Sequence, residues 1–151
     1  MAICTDDLEA RALIPMLTRR VITYGTDEAA DYRATNINVA GESWSFDVDR
    51  GVDKPALQVR LGIPGQHNVM NALAAIAIAS DEGIADSAIV QGLSEFAGVD
   101  RRFEITAPVR VDDAVVSLVD DYGHHPTEVE AVIATARQVW PERRLVMVYQ
   151  P

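Results

Sequence analysis

The chain has 151 residues, enough for one compact domain or two small ones, and 48% of them are hydrophobic, which supplies material for a core. The formal net charge of −10 disfavours nucleic acid as a partner, because the molecule as a whole would repel its phosphates. No apolar run approaches the roughly 20 residues that span a bilayer, no secretory signal is visible, and Cys4 is the only cysteine, so no intrachain disulfide can form and a reducing compartment is favoured.

Residues up to about Gly65 predict α/β structure with an antiparallel patch. The segment AICTDD begins as a short apolar strand, EARALIPMLT has the pattern of a short helix limited by Pro15, and RRVITYG is a second strand. Apolar and polar residues alternate on both sides of Gly41, which predicts a hairpin, and they alternate again in ALQVRLGIPG.

Two helices are predicted next. QHNVMNALAAIAIASDEGI carries a wide, alanine-rich apolar stripe at helical spacing, and Gly83 is its expected stop. DSAIVQGLSEFAG predicts a second helix that is capped by Asp86 or Ser87 and ended by Gly98. A change of pattern after this helix predicts a boundary between a domain of residues 1–98 and a domain of residues 99–151.

Strand patterns resume after the boundary. The run AVVSLVD is rich in β-branched residues and is typical of a strand buried on both faces. A helix follows in HPTEVEAVIATARQVWP, with Pro126 at its first position, and RRLVMVYQP predicts another strand. Ala114 to Gln150 is therefore predicted to form a right-handed βαβ unit with parallel strands. Because so small a sheet cannot cover both of its faces, we expect the chain to be a piece of a longer protein.

The junction LVDDYGHHPTEVEA carries polar groups at the carboxyl end of a predicted strand, where ligands of open parallel sheets bind. Asp120 and Asp121 end the strand, and His124 and His125 begin a helix whose N–H groups favour anions. From the residues alone, three interpretations are open: a polar ligand site, helix capping, or a Zn or Mn site. The metal site has the weakest support, because adjacent residues rarely converge on one ion and His67 is the only other histidine.

Two further stretches offer ligand groups. In GQHNVMN, Asn68 and Asn71 share one helix face, and two amides can recognise the edge of a base, although Asn68 can equally cap the helix. In RRF, Arg101 and Arg102 have two interpretations: a guanidinium that binds a phosphate, or a pair of solvated surface side chains. No glycine-rich phosphate loop is present, and the single lysine, Lys54, has no glycine-rich context, so a phosphate cradle for ATP would lie outside this sequence.

Four stretches together strongly resemble the Mur ligases of peptidoglycan synthesis in order and spacing: GQHNVMNALAAIAIA, RRFE, LVDDYGHHPTEVEA and VMVYQP. DDYGHHPTEV points to the member that joins L-alanine to UDP-N-acetylmuramate, and the first 25 residues are similar to its central domain. The resemblance implies an α/β fold with the C-terminal portion of a Mur ligase central domain (1–98) followed by the first βαβ unit of a Rossmann-like domain (99–151).

The resemblance also implies a cytoplasmic, ATP-dependent ligase that works through an acyl phosphate and has no nucleic-acid or membrane partner. Its Mg²⁺ ligands would lie mostly outside this chain, and the segment would be inactive without the remainder of the ligase. The residues that would bind ATP are His67, Asn68 and Asn71 on the adenine side, Asp121 at the ribose or as a support of the closed geometry, and Tyr122 near the nucleotide.

Catalytic roles would fall to Arg102, which would reach a nucleotide phosphate, and to His124, which with His125 would contact the incoming amino acid. Two other functions are compatible with the residues. One is a stand-alone nucleotide-binding module without catalysis, and the other is a metal-dependent hydrolase that uses Asp120, Asp121, His124 and His125.

Overall fold

The computed structural model describes residues 1–150, and within that range the chain forms seven strands and four α-helices. The predicted α/β class is confirmed. Pro151, the last residue of the predicted terminal strand, lies outside the described residues. None of the helices in the described range is long and apolar enough to cross a membrane.

The larger sheet has five strands in the order of the chain: β1 (Ala2–Cys4), β2 (Ile22–Gly25), β3 (Tyr32–Ala40), β4 (Ser43–Asp49) and β5 (Leu57–Leu61). The first three strands are parallel to one another, whereas β3, β4 and β5 are antiparallel, as the alternating pattern predicts. Helix α1 (Leu8–Leu13) links β1 to β2 and tightens into a 3₁₀ turn (Ile14–Met16) at Pro15. Gly41 takes a φ of +61° in the predicted turn between β3 and β4.

Two helices pack on this sheet: α2 (Gln66–Asp81) lies against β1–β3, and α3 (Asp86–Glu95) lies against β5. The predicted stop at Gly83 is confirmed by its φ of +78° just after α2. Capping of α3 by Asp86 or Ser87 is wrong, since Ala85 is the N-cap and makes no side-chain hydrogen bond there. Asp86 instead accepts two hydrogen bonds from the Arg50 guanidinium, which removes its carboxylate from capping.

The direction of α2 determines where its first turn lies. Its last residue, Asp81, pairs with Arg20 at 2.9 Å, immediately before the start of β2. The helix therefore runs antiparallel to the parallel strands. Its 16 residues span about 24 Å, so its first turn lies at the carboxyl edge of the sheet.

A second, smaller unit follows, in which β6 (Glu104–Val111) and β7 (Ala114–Asp120) form an antiparallel pair with α4 (Pro126–Val139) on one face. The apolar residues of this layer are Phe103, Ile105, Val119, Val132, Ala136, Val139 and Trp140. The ring planes of Phe103 and Trp140 lie nearly parallel, with centroids 6.2 Å apart.

The second strand of the predicted parallel βαβ unit is not formed, because residues 141–150 make no strand after α4. β7 pairs instead with β6, an antiparallel partner that lies outside the predicted unit. β7 is also not buried on both faces, because α4 covers only the face that carries Val119 and leaves Leu118 half exposed. An apolar pattern shows that a segment can pair, but a strand forms only where a neighbour supplies ladder hydrogen bonds.

Candidate functional site

The first turn of α2 starts at Gly65, whose φ of +113° is a conformation that L side chains rarely adopt. Capping by Asn68 is wrong: Gly65 is the N-cap, and the Asn68 amide donates to the carbonyl of Pro64 at 2.7 Å. Asn71 is exposed and its amide donates to Asn68 Oδ1 at 3.4 Å, which confirms that the two amides share a face. The Asn71 amide and the second lone pair of Asn68 Oδ1 therefore point to the same patch of surface.

The RRF turn is tied to the end of β7 through Asp121. One carboxylate oxygen of Asp121 accepts the N–H of Phe103 at 2.8 Å, and the other accepts the N–H of Gly123 at 2.7 Å. A backbone hydrogen bond of 2.7 Å from Tyr122 N–H to the carbonyl of Arg101 runs beside them. The bonds from Phe103 and Tyr122 fasten the polar loop after β7 to the segment that precedes β6, and the bond from Gly123 lies within the loop.

Arg101 lies on the exposed side of this loop. Its guanidinium is 5.1 Å from the centre of the Tyr122 ring and 3.5 Å from the carboxylate of Asp120. The Tyr122 ring meets the His124 ring edge-on at 5.5 Å. Arg101 is therefore held by an aromatic face and a carboxylate, whereas the charge of Arg102 lowers the pKa of His67 and of Glu128.

Helix α4 begins with a capping box. His125 is the N-cap and its Nδ1 accepts the N–H of Thr127 at 3.3 Å, while Glu128 accepts the N–H groups of His124 and His125 at 3.2 Å each. Capping is thus confirmed for His125. The two backbone hydrogen bonds hold the pKa of Glu128 below its ordinary value, and the charges of His124 and Arg102 act in the same direction.

His124 has a defined environment around one ring nitrogen. Its Nδ1 is 3.3 Å from the carbonyl of Tyr122 and 4.0 Å from the carboxylate of Glu128. Both neighbours are hydrogen-bond acceptors, so Nδ1 carries the proton in the neutral ring and Nε2 is the basic nitrogen. The hydroxyl of Tyr149 donates to the His124 carbonyl at 3.0 Å and further restrains the loop.

The first turn of α2 meets α4 at Gly65. A Cβ built on Gly65 would lie 2.5 Å from His67 Cε1 and 3.0 Å from the hydroxyl of Thr135, a buried residue of α4. Burial lowers the pKa of His67 below its ordinary value, while the negative charge of Asp121 raises it and the positive charge of Arg102 lowers it. His67, Arg102 and Asp121 therefore lie within electrostatic reach of one another.

The Zn or Mn interpretation is wrong for the part of the chain that the structure describes. Among residues 1–150, no three His, Cys, Asp or Glu side chains are grouped so that they could hold a metal ion. The side chains of DDYGHH are engaged elsewhere: Asp120 faces Arg101, Asp121 binds two backbone N–H groups, and His125 caps α4.

The sequence interpretation did not identify three residues of this region as site residues. Glu128 had a signal, because it stands three residues after the N-cap in the spacing of a capping box. Thr135 had a weaker one, as a polar residue within the apolar stripe of α4. Gly65 carried no signal for its role, since only the packed structure brings His67 and Thr135 against it.

Two domain families match the sequence: "Mur ligase middle domain" over residues 1–79 and "Mur ligase, glutamate ligase domain" over residues 101–151. Among solved structures, the UDP-N-acetylmuramate-alanine ligase MurC of Thermotoga maritima is 30% identical with a TM-score of 0.68, over 80% of this chain and 27% of that chain. MurF of Acinetobacter baumannii is 26% identical with a TM-score of 0.70, over 95% and 29% of the two chains. MurF of Thermotoga maritima in complex with ADP, at 19% identity and a TM-score of 0.69 over 91% and 30%, shares the fold. The chain thus spans less than a third of each of these proteins.

Proposed function

The chain belongs to the Mur ligase family, and from that premise we propose that it forms part of an ATP-dependent ligase that joins L-alanine to UDP-N-acetylmuramate in the cytoplasm. The observation that carries the proposal is the packing of the first turn of α2 against Thr135 of α4, the helix that follows the DDYGHH segment, with the charges of Asp121 and Arg102 both acting on the pKa of His67. The choice of L-alanine rests on the DDYGHHPTEV motif and on the 30% identity to MurC.

In this proposal the first turn of α2 binds the adenine. The exposed amide of Asn71 and the remaining lone pair of Asn68 Oδ1 supply a donor and an acceptor on one face, as a base edge requires. The half-buried His67 stands in the same turn, beside this patch. Asp121 and Tyr122 belong to the same nucleotide site from the side of β7.

Arg102 is proposed to act on the phosphates. Transfer of the γ-phosphoryl group to the muramate carboxylate forms an acyl phosphate and ADP, and negative charge builds up on the oxygens in transit. A guanidinium held near those oxygens lowers the barrier by neutralising that charge. Arg102 suits this role because its charge lowers the pKa of His67 and of Glu128, while Arg101 is held by Tyr122 and Asp120.

His124 is proposed to assist the second step. The amine of L-alanine attacks the acyl carbon, a C–N bond forms, phosphate leaves with the C–O bonding pair, and the nitrogen loses a proton. Because Nδ1 of His124 faces only acceptors, its Nε2 has the lone pair that can take this proton. His125, although it caps α4, is kept in the proposal as a neighbour of the amino acid.

Mg²⁺ has no ligand set among residues 1–150, since no suitable group of carboxylates or histidines occurs there. We therefore assign no step of the reaction to Mg²⁺ through these residues.

Calorimetry with ADP tests the nucleotide site. We expect the chain to bind ADP in the micromolar range, about −8 kcal/mol, and Asn68→Ala to weaken binding about tenfold through the loss of a hydrogen-bonded amide. Asn38→Ala, an exposed amide on β3, is the matched control and should leave ADP affinity unchanged. Equal effects of the two substitutions would contradict the assignment of the site.

A chimera tests the ligase activity. The chain would replace the matching segment of the Thermotoga maritima MurC, and phosphate release would be measured with UDP-N-acetylmuramate and L-alanine. Activity dependent on L-alanine is expected. If the chain binds ADP but the chimera is inactive, the alternative of a nucleotide-binding module without catalysis is favoured.

A further inference from the structure

A cleft lies at the edge of the larger sheet that is opposite to the first turn of α2. Strands β2 and β3 begin at this edge, and the antiparallel β4 and helix α2 end there. The cleft has a volume of about 570 Å³, which is within the range of small-molecule sites. Ser80, which lines it, follows Asn68 in α2 by about 18 Å along the helix axis. This amino-edge cleft is therefore separate from the proposed nucleotide site.

Arg50 forms one wall of the amino-edge cleft, and its side chain is only 3% exposed. Its Nε and Nη2 donate to the carbonyl of Pro55 at 3.2 and 2.6 Å, and its Nη1 and Nη2 donate to the two oxygens of Asp86 at 2.8 and 2.9 Å. A guanidinium has five N–H groups, and these bonds use four of them. The fifth, on Nη1, has no partner among residues 1–150, although a buried donor without a partner costs free energy.

The hydroxyl of Ser80 is a second donor of this kind. Its Oγ is buried and has no hydrogen-bond partner within the described part of the chain. Because no hydrogen bond holds its present rotamer, the hydroxyl is free to turn about χ1 toward a ligand in the cleft that Ser80 lines. Two buried donors on neighbouring walls thus lack acceptors.

The carboxylates of the amino-edge cleft are already engaged. Asp81 pairs with Arg20 at 2.9 Å. Asp31 accepts both the N–H and the hydroxyl of Thr23 at 2.8 Å each. The acceptors that line the cleft therefore have donors of their own, whereas the donors of Arg50 and Ser80 stay available.

Lys54 adds a positive charge to the same cleft. It is exposed, it is the only lysine of the chain, and it forms no ion pair within residues 1–150. A tight turn holds the loop that carries it, since Gly51 has a φ of +81° and donates its N–H to the carboxylate of Asp49 at 3.0 Å. Arg50 fixes the other end of this loop through the carbonyl of Pro55. Lys54 is thus presented to the cleft by a braced loop.

We propose that the amino-edge cleft binds a small molecule through an oxyanion group, a phosphoryl or a carboxylate, with Lys54, the remaining N–H of Arg50 and the hydroxyl of Ser80 as its donors. An oxyanion has several lone pairs and a negative charge, which match these donors and the charge of Lys54. The proposal is independent of the nucleotide site, and it holds whether or not the chain binds ADP.

NMR titration with inorganic phosphate tests the site, with sodium chloride at equal ionic strength as the reference for general charge effects. The backbone amide signals of Gly51, Lys54 and Asp81 should shift with one dissociation constant in the millimolar range. Succinate, titrated in the same way, distinguishes a phosphoryl from a carboxylate ligand, and binding of either supports the proposal. If neither anion shifts these signals, or if shifts occur only around Asn71 at the nucleotide site, the proposal is overturned.

Two variants test the donors. Lys54→Ala should weaken binding of the anion about tenfold. Its matched control is Arg110→Ala, which removes one positive charge from an exposed position on β6 outside the cleft and should leave the affinity unchanged. Ser80→Ala should weaken binding about fivefold.

Urea denaturation separates a role of Ser80 in binding from a role in folding. Because the hydroxyl has no bond to lose, Ser80→Ala should be no less stable than the unaltered chain. Equal affinities of Lys54→Ala and Arg110→Ala would show a general charge effect. An affinity of Ser80→Ala equal to that of the unaltered chain, together with a loss of stability, would show that the hydroxyl only supports the helix. Either result overturns the proposal.

Discussion

Replacement of Gly65 by alanine tests the packing of the first turn of α2 against α4. The residue has a φ of +113°, and a Cβ there would lie 2.5 Å from Cε1 and 2.9 Å from Nδ1 of His67, and 3.0 Å from the Thr135 hydroxyl. The new methyl group therefore meets a strained backbone, the His67 ring and the Thr135 hydroxyl of α4.

The magnitude follows from three effects. A non-glycine residue in this region of φ costs about 1–3 kcal/mol, and overpacking a filled contact costs about 1–3 kcal/mol. Alanine also restricts the unfolded chain, which returns about 0.4–1 kcal/mol of stability. We expect the free energy of unfolding to fall by about 3 kcal/mol, a large part of the 5–15 kcal/mol typical of folded domains.

Urea denaturation followed by circular dichroism measures this change, and ADP calorimetry shows whether the site is lost with it. Gly83→Ala is the matched control, because Gly83 also has a positive φ, at the other end of α2, but a Cβ there would meet nothing within 4 Å. It should cost only about 1 kcal/mol, from the backbone alone. If Gly65→Ala is no more destabilising than Gly83→Ala, the packing of His67 and Thr135 against Gly65 is not as described.

Three further predictions concern other parts of the chain. The side chain of Arg50 is buried and pairs with Asp86, and this pairing holds the pKa of Asp86 below its ordinary 3.8. The stability that the ion pair contributes is therefore complete above about pH 4 and is lost as the pH falls through the lowered pKa. Arg50→Ala should remove that part of the acid-unfolding curve. His67 should titrate in NMR spectra below its ordinary pKa of 6.5, because burial disfavours its charged form. The stability of the fold is then complete above pH 6.5 and falls as the pH drops through the lowered pKa. His67→Gln should flatten this dependence of stability on pH. Phe103→Ala should lower the free energy of unfolding by about 3 kcal/mol or more and change the near-UV circular dichroism of Trp140, because it empties the layer between β7 and α4.

Each of these predictions has a contrary outcome. An unchanged acid limb after Arg50→Ala would mean that the ion pair contributes nothing to pH-dependent stability. A His67 midpoint at or above 6.5 would contradict the burial of its ring. A loss below 1 kcal/mol for Phe103→Ala would show that this layer is not packed in solution.

Several features were accessible from local sequence because the signals that produce them are local. The turn at Gly41, the stop at Gly83 and the start of α4 at Pro126 each depend on the backbone preference of one residue. The α2 stripe follows from helical periodicity. The domain boundary near residue 98 and the roles of the site residues stay predictions.

The failures of the sequence interpretation have a common origin in long-range contacts. The run AVVSLVD indicates a strand, but whether it pairs in parallel or antiparallel fashion depends on which segment lies beside it. RRLVMVYQP has a strand pattern, yet within the described residues it has no ladder partner. Asn68 has a side chain suited to an N-cap, but its amide donates a hydrogen bond to the carbonyl of Pro64 and does not cap the helix.

The sequence by itself determined the α/β class, the positions of the helices and most strands, and the polar groups that end β7 and begin α2 and α4, because periodicity and capping act over a few residues. Only the tertiary structure decided that Asp121 holds the backbone of a turn 18 residues away and that His67 lies within reach of Arg102. Contacts of this kind depend on how segments that are distant in the chain pack together, and no local pattern specifies which side chains a packed interface brings together.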